Sequence, residues 1–186
     1  MRAMRTIAFA TSLALAACAA PSKSPSPAAA VADADRDAIL RITTDVYAIV
    51  SGAKGQARDW DRLRGHFVDG GRMLVSMQLP TGRYGASTFS VEEFVAMGTA
   101  NSEQRGFVEA PMVTRIETFG GVGHAFSSYT ARETAGAVPF ARGVNSFQFV
   151  LTAKGWRIAS IAWSEETKTL PLPLDLVAAT EPGNGP

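Results

Sequence analysis

Within the stretch "GVGHAFSSYTARE", residues 121–133, two side chains could take part in proton transfer. His124 is able to accept a proton near neutrality, and the hydroxyl of Tyr129 can donate a hydrogen bond to a carbonyl oxygen as negative charge grows there. The stretch reads as a strand, whose side chains alternate between two faces. Gly123, Ala125, Ser127, Tyr129 and Ala131 therefore share one face, and His124, Phe126, Ser128, Thr130 and Arg132 share the other. Only one of the two candidate catalytic residues can face an interior. The small residues around Tyr129 leave room for a ligand or a close helix, so the Tyr129 face is expected to line a pocket. His124 becomes the general base to test if the phase is the reverse.

The next strand adds a polar group among aromatics. In "ARGVNSFQFVLT" Asn145, Phe147, Phe149 and Leu151 share one side, while Val144, Ser146, Gln148 and Val150 share the other. The aromatic weight puts Asn145 inward, where its amide must find hydrogen-bond partners. It either ties a neighbouring segment or points at a ligand, and the structural tie is favoured. The outer stripe is uncharged and half apolar, which suits a homodimer through the sheet face.

Other chemistries find little support. His66 and His124 are the only histidines, and no carboxylate stands near them at metal-ligand spacing. His66 is expected on the solvated flank of a short helix. Asp59 and Asp61 lie beside Arg62 and Arg64 and read as an exposed ion-pair face. No "GxSxG" elbow is present, and "GGVG" at 120–123 lacks the helix start of a phosphate cradle. Neither cofactor nor metal is expected.

The single cysteine, Cys18, lies within "LALAACAA", residues 13–20. Arg2 and Arg5 precede an apolar run from Ile7 to Ala17 that is too short to span a bilayer, the plan of a secretory signal peptide over residues 1–17. Leu15, Ala16, Ala17 and Cys18 resemble the lipobox of bacterial lipoproteins. This resemblance implies cleavage before Cys18, lipidation of its sulfur and a periplasm-facing protein, with Ala19 similar to the residue of outer-membrane lipoproteins. Residues 18–33, rich in Pro, Ser and Ala, read as a tether. The net charge of +1 includes the two leader arginines, so the mature chain sits near −1 and offers no case for nucleic acid.

The elements that must hold these residues follow in order. Ile39, Ile42, Val46, Ile49 and Val50 recur at helical spacing, and a shorter helix carries Trp60, Leu63 and Phe67. "RMLVSM" reads as a strand. In "FSVEEF" Ser90 and Glu93 form a capping box, with Phe89 and Phe94 as a hydrophobic staple. Strands are then expected over 112–119, 122–133, 140–152 and 156–165, an antiparallel meander, and the layout is α+β. The domain is expected over 34–168. The tail 169–186, with "LPLPLDL", reads as extended.

This order, with "RDWDRLRGHFVDGGRM", "GVGHAFSSYTARE" and "ARGVNSFQFVLTAKGWRIASIAWSEE", resembles the nuclear transport factor 2-like family, which includes SnoaL-like cyclases and ketosteroid isomerase. The resemblance implies three N-terminal helices wrapped by a curved antiparallel sheet, a pocket at the open end of the cone, and frequent dimerisation. Tyr47, Trp60, Met73, Tyr84, Phe94, Tyr129 and Trp163 are the aromatic and apolar residues expected to line that pocket, with Asn145 as a further ligand-binding candidate. Such a set suits a small apolar ligand with one or two polar groups. Two functions follow: a lipid-anchored binding or accessory module, favoured because the interior Asp that the resemblance implies as base cannot be mapped onto this sequence, and a small lyase, isomerase or cyclase acting on an apolar carbonyl compound by proton transfer.

Overall fold

A computed structural model of the protein describes residues 27–177. The signal peptide, the lipobox with Cys18, the first part of the tether and the end of the tail lie outside the described residues. Three helices, α1 (Pro27–Val50), α2 (Trp60–His66) and α3 (Val91–Gln104), pack on a sheet of β1 (Phe67–Gln78), β2 (Tyr84–Ser90), β3 (Val108–Phe119), β4 (Val122–Arg132), β5 (Ala141–Thr152) and β6 (Gly155–Glu165). The strand order is β2-β1-β6-β5-β4-β3.

The long helix exists because one stripe of it is apolar. Ile39, Val46, Tyr47, Ile49 and Val50 are buried against the sheet, each such burial contributing roughly 1.5–3 kcal/mol. Its approach is close where it crosses β4. A Cβ on Gly123 would stand 2.4 Å from the Ile39 side chain, so the strand needs glycine there. The helix begins at Pro27, inside the span read as tether. Alanines at 28–30 and 32 are strong helix formers, and proline is at ease in the first helical position.

The start of α3 follows the sequence signal. Ser90 Oγ accepts from the Glu93 amide at 3.2 Å, and Glu93 Oε2 accepts from the Ser90 amide at 2.7 Å. Phe89 and Phe94, either side of this cap, both pack on Trp163.

Two features differ from the expected meander. The strand β2 was not anticipated, since "YGASTFS" has little apolar weight; as an edge strand exposed over most of its length it needs little, and pairing with β1 holds it. The sheet is also mixed rather than wholly antiparallel: β1 runs parallel to β6, aligning Met73 with Ile161 and Val75 with Trp163. Both strands then bring apolar side chains to the helix side.

The described part of the tail is fastened rather than free. Leu176 is buried, its carbonyl accepts from Ser128 Oγ at 2.5 Å, and Asp175 pairs with Arg115 at 2.7 Å. It thus lies on the outer face of β3 and β4.

Candidate functional site

A cavity of about 280 Å³ opens at the end of the sheet where β3 and β5 begin and β4 and β6 finish. Its polar lining is Glu109, Tyr129, Asn145 and Glu165, with Asn101 and Arg105 from the end of α3; Met73, Phe107, Phe147 and Trp163 are among the apolar residues facing them. A second cavity, about 300 Å³ and more apolar, shares Phe94, Phe107 and Trp163 with the first and is lined further by Trp60, Phe89 and Met97.

Glu109 enters this space through a break in strand phase. In β3 the buried Ile116 and the inward Thr114 sit on even positions, and regular alternation would turn Glu109 outward. Pairing with β4 slips between Pro111 and Val113, where an extra residue reverses the phase. Glu109 therefore stands opposite the buried Ala131, on the cavity side. Its backbone is fixed by the end of α1: the Ser51 hydroxyl accepts from the Glu109 amide at 2.9 Å and donates to the Tyr47 carbonyl at 2.6 Å.

Asn145 organises the polar groups. Its Nδ2 donates to Glu109 Oε1 at 3.1 Å and to the Tyr47 hydroxyl at 3.2 Å. The Tyr47 hydroxyl donates in turn to Ser127 Oγ at 2.9 Å, which is 2.8 Å from Thr114 Oγ1. The amide is thus a tie between α1 and β3 and also part of the cavity wall. Among the described residues no cation forms an ion pair with Glu109, although Arg105 lines the same cavity. Burial, aided by Glu165 and opposed by the Asn145 hydrogen bond, pushes its carboxyl up to about 7.

Tyr129 completes the arrangement. Its hydroxyl makes no hydrogen bond among the described residues, although the side chain is buried. The space it occupies exists because residue 143 is glycine: a Cβ there would lie 2.8 Å from the Tyr129 oxygen. Burial, then Glu109 and Glu165, raise the Tyr129 hydroxyl well above the ordinary phenol range, so it stays protonated. A protonated phenol without a partner and a carboxyl poised near neutrality face the same hollow.

The remaining expected residues divide. Trp60 and Trp163 line the apolar cavity, while Tyr47 lies behind the wall and reaches the site through Asn145. Tyr84 is 55% exposed at the start of β2 and lines neither cavity, because it belongs to the edge strand that the sequence did not reveal. His124 is on the opposite sheet face from Tyr129, its Nε2 3.0 Å from Ser146 Oγ. It cannot act in this cavity. His66 is not merely solvated: its Nε2 lies 2.6 Å from Asp45 Oδ2, and burial, with Arg62 and Arg157, lowers its pKa. Among the described residues no cluster of His, Cys, Asp or Glu could hold a metal ion.

The comparisons with known proteins bear on the architecture. The beta subunit of a proposed aromatic-ring-hydroxylating dioxygenase from Novosphingobium aromaticivorans superposes with a TM-score of 0.55 at 19% identity, covering 80% of this chain and 98% of that one. A proposed dehydratase of the nuclear transport factor 2-like family from Streptomyces avermitilis gives 0.52 at 16% identity, covering 73% and 98%. A nuclear transport factor 2-like protein from Cytophaga hutchinsonii gives 0.51 at 13% identity, covering 69% and 96%. This chain has the nuclear transport factor 2-like fold. No family model and no curated protein matches its sequence. At these identities the likeness speaks of fold, and the same architecture serves both binding proteins and isomerase- or dehydratase-type proteins.

Proposed function

We propose that the protein catalyses proton transfer on a small apolar carbonyl compound, an isomerisation or elimination, with Glu109 as general base. The observation that carries this reading is a carboxyl raised to about 7 inside an apolar cavity. At neutral pH such a group is part ionised, so it can both remove a proton and return one. Glu109 takes the proton next to the carbonyl. The Tyr129 hydroxyl donates a hydrogen bond to the carbonyl oxygen as it gains charge. The protonated Glu109 then delivers the proton to another carbon, or to a leaving group. Asn145 and Tyr47 hold the carboxylate in position, and Phe107, Phe147 and Trp163 exclude water. This glutamate takes the place of the interior Asp that the family resemblance implies as base.

Exchange of deuterium for hydrogen next to the carbonyl, followed by nuclear magnetic resonance over a panel of small enolisable ketones, tests the proposal. Glu109→Gln is expected to lower exchange by roughly 100-fold or more. The rate should rise with pH through an apparent pKa near 7. Exchange that survives in Glu109→Gln refutes the role given to this residue.

A second reading, a binding module without catalysis, is favoured by the apolar cavity beside Trp60 and Trp163. It predicts saturable ligand binding with no exchange in any variant. Under either reading the protein is exported and lipid-anchored through Cys18, which the lipobox-like "LAAC" supports. Among the described residues no helix is long and apolar enough to cross a membrane. Loss of membrane retention in Cys18→Ser tests the anchor. A homodimer through the outer sheet face would use β5 and β6, since the tail occupies β3 and β4. Sedimentation velocity reads that state directly.

A further inference from the structure

The end of the sheet opposite the cavity carries large apolar side chains in the open. Phe119 is 87% exposed, Val122 55% and Leu151 49%. Strand pairing sets them side by side: Phe119 is opposite Val122, Val122 is opposite Val150, and the Leu151 amide donates to the Gly121 carbonyl at 2.9 Å. The turn between β3 and β4 is two glycines, with no polar side chain to shield the patch. The neighbouring turn presents the exposed Lys154.

The chain also arrives at this end. Trp156 Nε1 donates to Asp35 Oδ1 at 2.9 Å, Arg36 Nη1 donates to the Ile116 carbonyl at 2.5 Å, and Ile39 packs over Gly123. The early part of α1 therefore lies beside the hairpin tips, and its last turn lies beside Glu109. Between Cys18 and Pro27 there are nine residue steps, at most about 30 Å of extended chain. Glu109, Ala131, Ala141 and Glu165, which border the cavity, belong to the far ends of their strands, about 33 Å away along β3.

We propose that the tips formed by Phe119, Val122 and Leu151 rest in the surface of the bilayer to which the chain is anchored, turning the cavity mouth toward the aqueous side. This rests on the lipid anchor of the preceding subsection. A lipid surface is the occupant because the patch is a pair of projecting tips rather than a broad face. Three side chains are too few for a stable protein interface, yet they reach the depth at which apolar groups enter the headgroup boundary. The exposed Lys154 at the neighbouring turn favours anionic headgroups, and the exposed Asp33 and Asp37 on the early part of α1 oppose them.

The acylated full chain leaves no free thiol, so one introduced cysteine can be labelled alone. A polarity-sensitive dye is placed on Phe119→Cys, or on Val138→Cys, which is equally exposed beside the cavity end. The chain is reconstituted in vesicles of phosphatidylethanolamine and phosphatidylglycerol. At position 119 the emission should shift to the blue, brighten several-fold and be quenched by brominated acyl chains; at 138 it should do none of these. A water-like signal at 119, or equal signals at both positions, overturns the proposal. Unchanged retention of Cys18→Ser would count against the anchor alone, since the dye at 119 reports tip contact separately.

Discussion

Replacing Glu109 by Gln should make the protein more stable at alkaline pH, and the reason lies in the cavity. The folded carboxyl is raised to about 7 from an ordinary value of 4.5, so the native state holds a proton that the unfolded chain has already released. Between those two values the native state binds more protons than the unfolded state, and stability falls as pH rises. Below 4.5 both states are protonated and the penalty vanishes; above 7 it is complete. A shift of about 2.5 units at 1.36 kcal/mol each sets a ceiling of about 3 kcal/mol. Glutamine keeps an oxygen for the Asn145 amide and carries no charge to bury. Wild type should therefore lose up to about 3 kcal/mol relative to Glu109→Gln between pH 4 and pH 8.5, read by thermal or urea unfolding of both proteins. For a domain of this size that corresponds to a change in relative Tm of about 6–12 °C. Any constant cost of the amide cancels in the comparison, as do the other titrating groups, including His66. Parallel curves across the whole range would show that the carboxylate is solvated and ionised, and the general-base argument would fall with it.

The two interior tyrosines should separate structure from chemistry: Tyr47→Phe removes an oxygen that accepts from Asn145 and donates to Ser127, costing about 1–3 kcal/mol in urea unfolding, whereas Tyr129→Phe should leave stability within about 0.5 kcal/mol and lower exchange at least 10-fold. Gly123→Ala drives a methyl into Ile39 where α1 crosses β4, and calorimetry should show a loss of about 1–3 kcal/mol. Ser90→Ala removes one half of the capping box and should cost about 1 kcal/mol, detectable as a lowered urea midpoint with unchanged slope.

What the sequence disclosed and what it hid differ by the range of the interactions involved. The helical stripe of α1, the Ser90 cap and the alternation of β4 and β5 are local patterns, each expressed within a few residues, and the elements formed where those patterns stand. The inward face of β4 could be weighed from its small residues alone, and the structure puts Tyr129 on that side. Pairing is a different matter. The parallel contact of β1 with β6 joins segments more than 80 residues apart, and β2 exists only because β1 offers it an edge. Neither leaves a mark in the composition of its own strand. Tyr84 was misplaced for that reason.

Glu109 is the instructive case, since the residue proposed as general base lies before the strand that the sequence predicts over 112–119. Extending the alternation of Thr114 and Ile116 backward across Met112 turns Glu109 toward solvent, and only the slip at 111–113 turns it inward. The proline at 111 is the one local clue, because a residue without an amide hydrogen is at home where a ladder is interrupted. Had the phase been allowed to reverse there, Phe107 and Glu109 would have joined Ile116 and Tyr129 on a single face. The same irregularity has a functional sense. A regular strand would keep the carboxylate in water, with an ordinary pKa and no capacity to exchange protons near neutrality. The extra residue carries it into the apolar hollow, where Asn145 donates to one of its oxygens. Removing the extra residue from the 111–113 bulge should thus restore an ordinary carboxylate and abolish exchange, even with Glu109, Tyr129 and Asn145 all still present in the chain.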